Sequence, residues 1–302
     1  MRRRPPPGRL RRALTLMWAT TSLVCVVATG CTSGEVGDRE VGAAGWIRVT
    51  DASGVAVTLP APAQRVVSLV PSATQTLRAI GADGALVGRT DFDNQPWAAA
   101  IQSVGGGLEP NLESIVALEP DLVIRFGGSQ DPRTPRRLDD LGIAHIAVRP
   151  DQVDDIYQTT LILGAVTGHE RAADSLVASI RRDLEDLSAK AATLRRHRVA
   201  YVLGGTPPFV SGPGTYIDEI VSLVGGDNVF GDLRMLYSSV SPEELLTRDI
   251  EVVLHSGADN FDATLTPGAR VIQVGDILEI PGPDVVEAAY YIAEMLHGRS
   301  LR

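Results

Sequence analysis

One sequence pattern occurs twice in this chain, 130 residues apart. The stretches PNLESIVALEPDLVI and SPEELLTRDIEVVL, which begin at residues 110 and 241, align when Glu113 is matched with Glu243. Each copy predicts a short helix with an acidic residue at its start, a turn, and a buried strand introduced by Asp121 or Glu251. A unit repeated at this separation predicts two lobes of similar construction, each with a carboxylate at the head of a helix.

Around both units, aliphatic runs of strand length alternate with segments of helical periodicity. This alternation predicts an α/β fold in which each lobe has a central, mostly parallel sheet covered by helices. Residues 169–197 contain no Gly or Pro and repeat apolar residues at helical spacing, over too few heptads for a coiled coil. They predict one long rigid helix that joins the lobes and leaves a ligand cleft between them, at the carboxyl ends of the strands.

The first 30 residues have the features of an export signal. An arginine-rich start precedes an apolar run that is short for a membrane span, and small residues lead directly to Cys31. This pattern predicts a lipoprotein signal peptide, residues 1–30, with Cys31 as the lipidated residue. An ordinary secretory signal with an incidental cysteine is the alternative, and Arg11-Arg12 leaves twin-arginine export open beside the general route.

The remaining chain divides by composition into four parts. Residues 31–45 are Gly-rich and polar, which favours a flexible tether. Residues 46–168 are predicted to form the N-terminal lobe, 169–197 the connecting helix, and 198–302 the C-terminal lobe.

Charge and cysteine content narrow the function further. The formal charge is −9, and loss of the signal peptide, with its six arginines and no acids, leaves −15. Such an acidic surface repels phosphate backbones and argues against a nucleic-acid partner. Since the only cysteines are Cys25 and Cys31, an exported domain without the signal peptide forms no disulfide and depends on its hydrophobic core.

Four motifs in a fixed order carry a resemblance to a known family: RVVSLVPSAT, NLESIVALEPDLVI, GGTPPFVSG and VGGDNVFGDL. Over residues 46–297 the chain resembles the substrate-binding lipoproteins and periplasmic proteins of cobalamin, siderophore and haem ABC importers, and most of all their cobalamin-binding branch. The resemblance implies two lobes joined by one backbone helix, with little closure on binding. It also implies a monomeric receptor that is not an enzyme, has no resident cofactor, and is lipid-anchored on the extracytoplasmic face of the membrane.

The repeated carboxylates acquire a role through this resemblance. In the family, one surface glutamate on each lobe docks into arginine pockets of an ABC permease dimer, which works with its ATPase subunits; the matching residues are Glu113 and Glu243. The alternative is a structural role, because a glutamate in the first helical turn is stabilised by the helix dipole whatever its function. Asn111 and Ser241 are predicted to cap the two helices, and Glu244 competes with Glu243 for the docking role.

Candidate ligand-binding residues lie on the loops that follow the predicted strands. A corrin or haem presents a broad flat face, which aromatic side chains suit, and glycines let the backbone approach it. Phe209 is the first choice, while Phe126 and Tyr237 could instead be core residues, which is the commoner fate of aromatic side chains. The full set is Ser72, Asp93, Trp97, Phe126, Gly128, Phe209, Ser211, Tyr237 and Asp276.

The cleft loops depart from the cobalamin-binding pattern. DNQP stands where the family often has DYP, VGGGLEP lacks a tryptophan, and Ile280 stands where the family suggests a cleft arginine. Cobalamin or a related corrinoid remains the expected cargo. A ferric siderophore, with Arg89 or Arg125 in the cleft, and haem, with Tyr237 or His255 as axial ligand, are the alternatives.

An enzyme on the same scaffold is a further alternative. The sequence shows no G-x-S-x-G, Walker or H-E-x-x-H motif, which speaks against it. The five histidines are scattered, so no metal site is predicted.

Overall fold

The computed structural model describes residues 40–41, 45–128, 130–257 and 261–302. The predicted signal peptide, its Cys31 and almost all of the predicted tether lie outside the described residues. None of the helices in the described part of the chain combines the length and the apolar character that a membrane span requires.

The described chain alternates strands and helices, as the sequence predicts. The strands are β1 Glu40–Val41, β2 Ile47–Thr50, β3 Ala56–Leu59, β4 Val66–Ser68, β5 Leu86–Arg89, β6 Gln102–Ser103, β7 Leu122–Phe126, β8 His145–Val148, β9 His197–Gly204, β10 Phe209–Ser211, β11 Gly226–Asn228, β12 Tyr237–Ser239, β13 Val252–His255 and β14 Arg270–Gln273. The helices are α1 Pro71–Ala79, α2 Leu112–Ala117, α3 Arg133–Asp140, α4 Val153–Thr167, α5 Glu170–Ala191, α6 Tyr216–Leu223, α7 Pro242–Thr247 and α8 Val285–His297. Three short 3₁₀ helices cover Asp83–Ala85, Pro96–Ala98 and Ala263–Leu265.

The N-terminal lobe is built on a five-stranded parallel sheet with the strand order β6-β5-β4-β7-β8. Its inner strands β4 and β7 are mostly apolar on both faces because helices cover both sides of the sheet. In β7, Leu122 and Ile124 pack into one hydrophobic cluster, while Val123 packs into the cluster on the opposite face. The antiparallel hairpin β2–β3 attaches to this lobe through Asp51, whose carboxylate accepts the Ala147 N–H at 2.9 Å.

The C-terminal lobe has a mixed sheet with the order β12-β10-β9-β13-β14, and β11 pairs with β9. Its centre, β9 with β13 and β14, is parallel, whereas β10 and β12 are antiparallel additions at one edge. Tyr201 and Leu254 pack on one face of the sheet, and Val202 and Val253 pack on the other. The predicted α/β fold with two mostly parallel sheets is therefore confirmed.

The sequence repeat is also a structural repeat. In the N-terminal lobe, the Asp121 carboxylate accepts the Arg65 N–H at 3.0 Å, and the Arg65 side chain donates back to the Glu119 carbonyl. In the C-terminal lobe, Glu251 accepts the Arg198 N–H at 3.1 Å, and the Arg198 side chain donates to the Asp249 carbonyl. Each copy thus ties its helix–turn–strand unit to the neighbouring strand in the same way.

Two helices, rather than one, join the cores of the lobes. Most buried residues of α5 pack in the C-terminal core, and Ala173 near its start packs in the N-terminal core. The sequence placed α4 wholly in the N-terminal lobe, but its first half, with Ile156 and Tyr157, packs in the C-terminal core. Its second half, including Leu163 and Val166, packs in the N-terminal core. The predicted connecting helix forms as α5, which ends at Ala191, and α4 lies beside it as a second link.

Candidate functional site

A cleft runs along the carboxyl ends of the strands and is lined by both lobes. Its first depression, of about 340 Å³, lies between the end of β7 and the start of β10. Its second, of about 500 Å³, lies above the end of β4. Phe126 and Gln130 line both depressions, which makes the cleft continuous. This is the position at which open α/β sheets bind ligands.

Aromatic and aliphatic side chains form much of the cleft surface. Phe209 and Tyr237 stack with ring centroids 6.0 Å apart and an interplanar angle of 24°. They are neighbours because β10 and β12 pair antiparallel, which brings Ser211 opposite Tyr237 and Phe209 opposite Ser239. Of the nine large hydrophobic side chains that are exposed among the described residues, four line this cleft: Phe92, Leu108, Phe209 and Met235. Such a concentration of exposed apolar surface makes this cleft the candidate binding site.

The charges in the first depression are paired. Arg149 Nε lies 2.6 Å from Asp151 Oδ2, and both residues follow β8 at the cleft edge. Gly128 makes room for this arginine, since a Cβ atom there would lie 3.2 Å from Arg149 Nη1 and the backbone φ is +115°. Burial, together with the Asp151 carboxylate, raises the pKa of the Tyr237 phenol to about 12. The tyrosine therefore stays neutral at physiological pH.

The structure brings four of the nine predicted ligand residues to the same depression, namely Phe126, Gly128, Phe209 and Tyr237. The other five lie elsewhere. Ser72 is buried in the first turn of α1 where Gly282 of the C-terminal lobe approaches it, so that a Cβ atom at 282 would lie 3.6 Å from Ser72 Cβ. Asp276 is exposed on the loop after β14.

Three of these five residues, Asp93, Trp97 and Ser211, contact other residues of their own lobe instead of lining the cleft depressions. The buried Asp93 carboxylate accepts hydrogen bonds from the Thr90 N–H and hydroxyl, at 2.8 and 2.7 Å. Trp97 packs against the N-terminal core with the Arg78 guanidinium 5.4 Å from its ring centre. Ser211 is buried, with its hydroxyl 2.7 Å from the Thr215 hydroxyl. These side chains point into the lobes because tight turns and packing decide their direction.

The alternatives to a corrinoid involve residues that mostly lie outside the cleft depressions. Arg125 is buried and donates to His145 Nδ1 at 3.1 Å, and Arg89 donates to the Ala98 and Thr90 carbonyls. His255 lines a separate depression beside Phe261. Of the four residues that the sequence suggested for an alternative cargo, Tyr237 lines the first depression.

Sequence reasoning missed several cleft residues. Phe92, Leu108, Gln130 and Met235 lie on irregular loops, where no periodicity indicates which side chains are exposed. Arg149 could have been found, because it ends the strand AHIAVR that the sequence predicts, and the carboxyl ends of strands lie at the cleft edge.

The two repeated glutamates occupy equivalent surface positions. Glu113 and Glu243 are exposed in the first turns of α2 and α7, which Asn111 and Ser241 cap as predicted, by accepting backbone N–H groups at 3.0 and 3.1 Å. Neither glutamate forms an ion pair with another described residue. The competitor Glu244 is instead paired with Arg248 at 2.8 Å.

Comparisons with known proteins agree with this architecture. A family model described as periplasmic binding protein matches residues 66–271. The vitamin B12-binding protein of Yersinia pestis (strain Pestoides F) is 32% identical over 217 residues, which are 70% of this chain and 78% of that protein.

Solved structures give the same result. The periplasmic vitamin B12-binding protein BtuF of Vibrio cholerae is 26% identical with a TM-score of 0.68, over 78% of this chain and 97% of that one. The periplasmic haem-binding protein HutB of Vibrio cholerae, at 20% identity, shares the fold with a TM-score of 0.68 over 78% and 99% of the two chains. With the family model covering both lobes and a relative above 30% identity across most of its length, the chain belongs to the periplasmic binding protein family.

Proposed function

We propose that this protein is the substrate-binding lipoprotein of an ABC importer and that it captures cobalamin or a related corrinoid in the cleft between its lobes. It then delivers this cargo to the permease from the extracytoplasmic face of the membrane, to which Cys31 anchors it. The observation that supports this cargo is the concentration of exposed apolar side chains along the cleft, with Phe92 and Leu108 in the second depression and Phe209 and Met235 in the first.

The shape and chemistry of the cleft favour a broad ligand with apolar faces. Its two connected depressions, of about 340 and 500 Å³, provide a long surface rather than a small enclosed cavity. Aromatic walls bind flat ring systems through stacking and burial of apolar area. The relatives named for vitamin B12 support the same choice.

A ferric siderophore suits the cleft less well. Siderophore chelates are often anionic, and the arginine in the first depression, Arg149, is already neutralised by Asp151. Arg133, near the second depression, pairs with Glu109 at 3.3 Å. Because both arginines are paired with carboxylates, the described cleft has little unpaired positive charge to attract an anion.

Haem is the second candidate cargo, favoured by one observation. Tyr237 lines the cleft, and a tyrosine oxygen is one of the axial ligands that haem iron accepts. The raised pKa of its phenol opposes this role, because iron binds the deprotonated form and burial disfavours that form.

Visible absorption spectroscopy distinguishes these cargoes. The purified protein is incubated separately with cyanocobalamin, haemin and a ferric siderophore and is then desalted. We expect the cyanocobalamin spectrum to elute with the protein at a stoichiometry near one. If the wild-type protein retains haemin alone, and Tyr237→Phe does not retain it, then the cargo is haem rather than a corrinoid. Retention of none of the three would refute the proposed cargo class.

Docking to the permease is proposed to use Glu113 and Glu243. Each is an exposed carboxylate without an ion-pair partner among the described residues, and each sits on its own lobe in the same structural unit. A permease dimer presents two like surfaces, so one docking unit is needed twice. Pairing of each carboxylate with an arginine would fix the orientation of the receptor.

Uptake of radiolabelled cyanocobalamin in cells that lack their own receptor tests this assignment. Glu113→Ala and Glu243→Ala should reduce uptake, with the double variant worst, while leaving the affinity of the purified protein unchanged. Glu244→Ala is the matched control, because it is the neighbouring carboxylate and is engaged by Arg248. Normal uptake by the double variant would mean that these glutamates only stabilise their helices.

A further inference from the structure

Two exposed aliphatic residues accompany the repeated carboxylates. Val116 and Leu246 occupy the same position in the two units, three residues after Glu113 and Glu243. Residues three apart share one face of a helix, so each carboxylate has an aliphatic neighbour beside it. Val116 is 43% exposed and Leu246 is 51% exposed, whereas the residue before each, Ile115 or Leu245, is buried.

The two exposed positions are not required by the packing of their own lobes. Their buried neighbours Ile115 and Leu245 already anchor α2 and α7 to the hydrophobic clusters. A single exposed aliphatic residue is ordinary on a protein surface. An exposed aliphatic residue at the same place in both copies, next to the same unpaired carboxylate, is a shared surface feature of the two lobes.

In the N-terminal lobe this feature extends into an apolar groove. Leu112, Val116, Ala117 and the exposed Leu141 line it, and Glu113 lies at its side. Arg137 and Asp140 also line the groove and bring opposite charges to it. The groove therefore presents mainly apolar surface to a partner.

We infer that Val116 and Leu246 form the apolar half of a two-part contact with the permease, and that each inserts beside the arginine that receives the neighbouring glutamate. This inference rests on the proposed function. The occupant is a pair of like permease subunits, because the carboxylate–aliphatic pair is presented twice, once by each lobe. Apolar burial next to an ion pair excludes water from it, and well-packed centres of this kind dominate the affinity of interfaces.

Photo-crosslinking in living cells tests the contact directly. A photoreactive amino acid is placed in the full chain at Val116, Leu246, Glu113 or Glu243, and the crosslinked partner is identified by mass spectrometry. The control position is Val55, which is 54% exposed on the β2–β3 hairpin and is remote from both units in the sequence. We expect crosslinks to an ABC permease subunit from 116 and 246 and none from 55.

The outcomes separate this inference from the proposed function. Crosslinks to the permease from 113 and 243 but not from 116 and 246 would overturn the apolar contact and leave the importer function standing. Absence of permease crosslinks from all four positions would overturn the docking assignment and the inference together. Crosslinks from 116 and 246 to a different protein would also overturn the inference.

Near-isosteric substitutions give a second measurement. Val116→Thr and Leu246→Asn keep the size of each side chain but remove its apolar character. Each should reduce receptor-dependent uptake of radiolabelled cyanocobalamin by about tenfold at limiting receptor, as expected for one buried aliphatic side chain. Val55→Thr should leave uptake unchanged. Equal uptake by all three variants would refute the contact.

Discussion

Truncation of the cleft aromatic residue Phe209 should weaken ligand binding by an amount that its exposure sets. Phe209 is 39% exposed in the free protein. A phenylalanine offers on the order of 200 Å² of surface, so a ligand lying on the ring would cover roughly 80 Å² of it. At about 25 cal/mol per Å², the loss in Phe209→Ala is ~2 kcal/mol, or about 30-fold in Kd.

Phe92 provides an internal comparison. It is 63% exposed on the other side of the cleft, so the same reasoning gives roughly 130 Å², ~3 kcal/mol and about 200-fold for Phe92→Ala when the ligand covers the whole ring. Trp46→Ala is the control, since Trp46 is exposed next to β2, outside the cleft lining.

Isothermal titration calorimetry with cyanocobalamin measures these differences, and thermal unfolding of each variant checks that folding is intact. Phe209 lies outside the hydrophobic clusters, so its removal should cost the fold no more than about 1 kcal/mol, through the lost pairing with Tyr237. If the affinity of Phe209→Ala for cyanocobalamin is within about twofold of the wild-type affinity, Phe209 does not form a ligand-binding wall of the cleft. A loss of affinity of the same size in Trp46→Ala would show that the effect is not specific to the cleft wall.

Four further predictions concern the anchor, rigidity and stability. Cys31→Ser should move the protein from the membrane fraction to the soluble fraction or leave its signal uncleaved; unchanged lipid labelling would contradict the lipoprotein assignment. Because α4 and α5 both join the two cores, spin labels on the lobes should give overlapping distance distributions with and without cyanocobalamin, and a large shift would refute this stiffness. Glu219 accepts the Val153 N–H at 2.9 Å, and burial raises the pKa of its carboxyl group. The folded state therefore binds the carboxyl proton more tightly than the unfolded state does, and the protein loses stability as pH rises past the usual glutamate range. Glu219→Gln should therefore raise the melting temperature near neutral pH but not below that range, and a pH-independent effect would contradict the linkage. Asp121→Ala removes the acceptor of the Gln64 and Arg65 N–H groups and should destabilise the protein by about 1–2 kcal/mol in chemical denaturation, whereas Asp174→Ala, at an exposed position of α5, should cost less.

The sequence by itself determined the fold class, the repeated units and their caps. These features follow from local rules: aliphatic runs make buried strands, apolar spacing makes helices, and Asn111 or Ser241 accepts backbone N–H groups at a helix start. Each rule concerns residues close together in the chain, so it holds before any tertiary contact is known. The equivalence of Glu113 and Glu243 emerged for the same reason.

Only the tertiary structure decided which loop residues line the cleft. Asp93 and Ser211 turn inward because Thr90 and Thr215 offer hydrogen bonds there, while Arg149 and Met235 reach the cleft. Loops have no periodicity that fixes side-chain direction, and contacts with distant elements choose it instead. The same reason explains α4: its apolar composition indicated burial, but the division of its two halves between two cores depends on where the lobes meet.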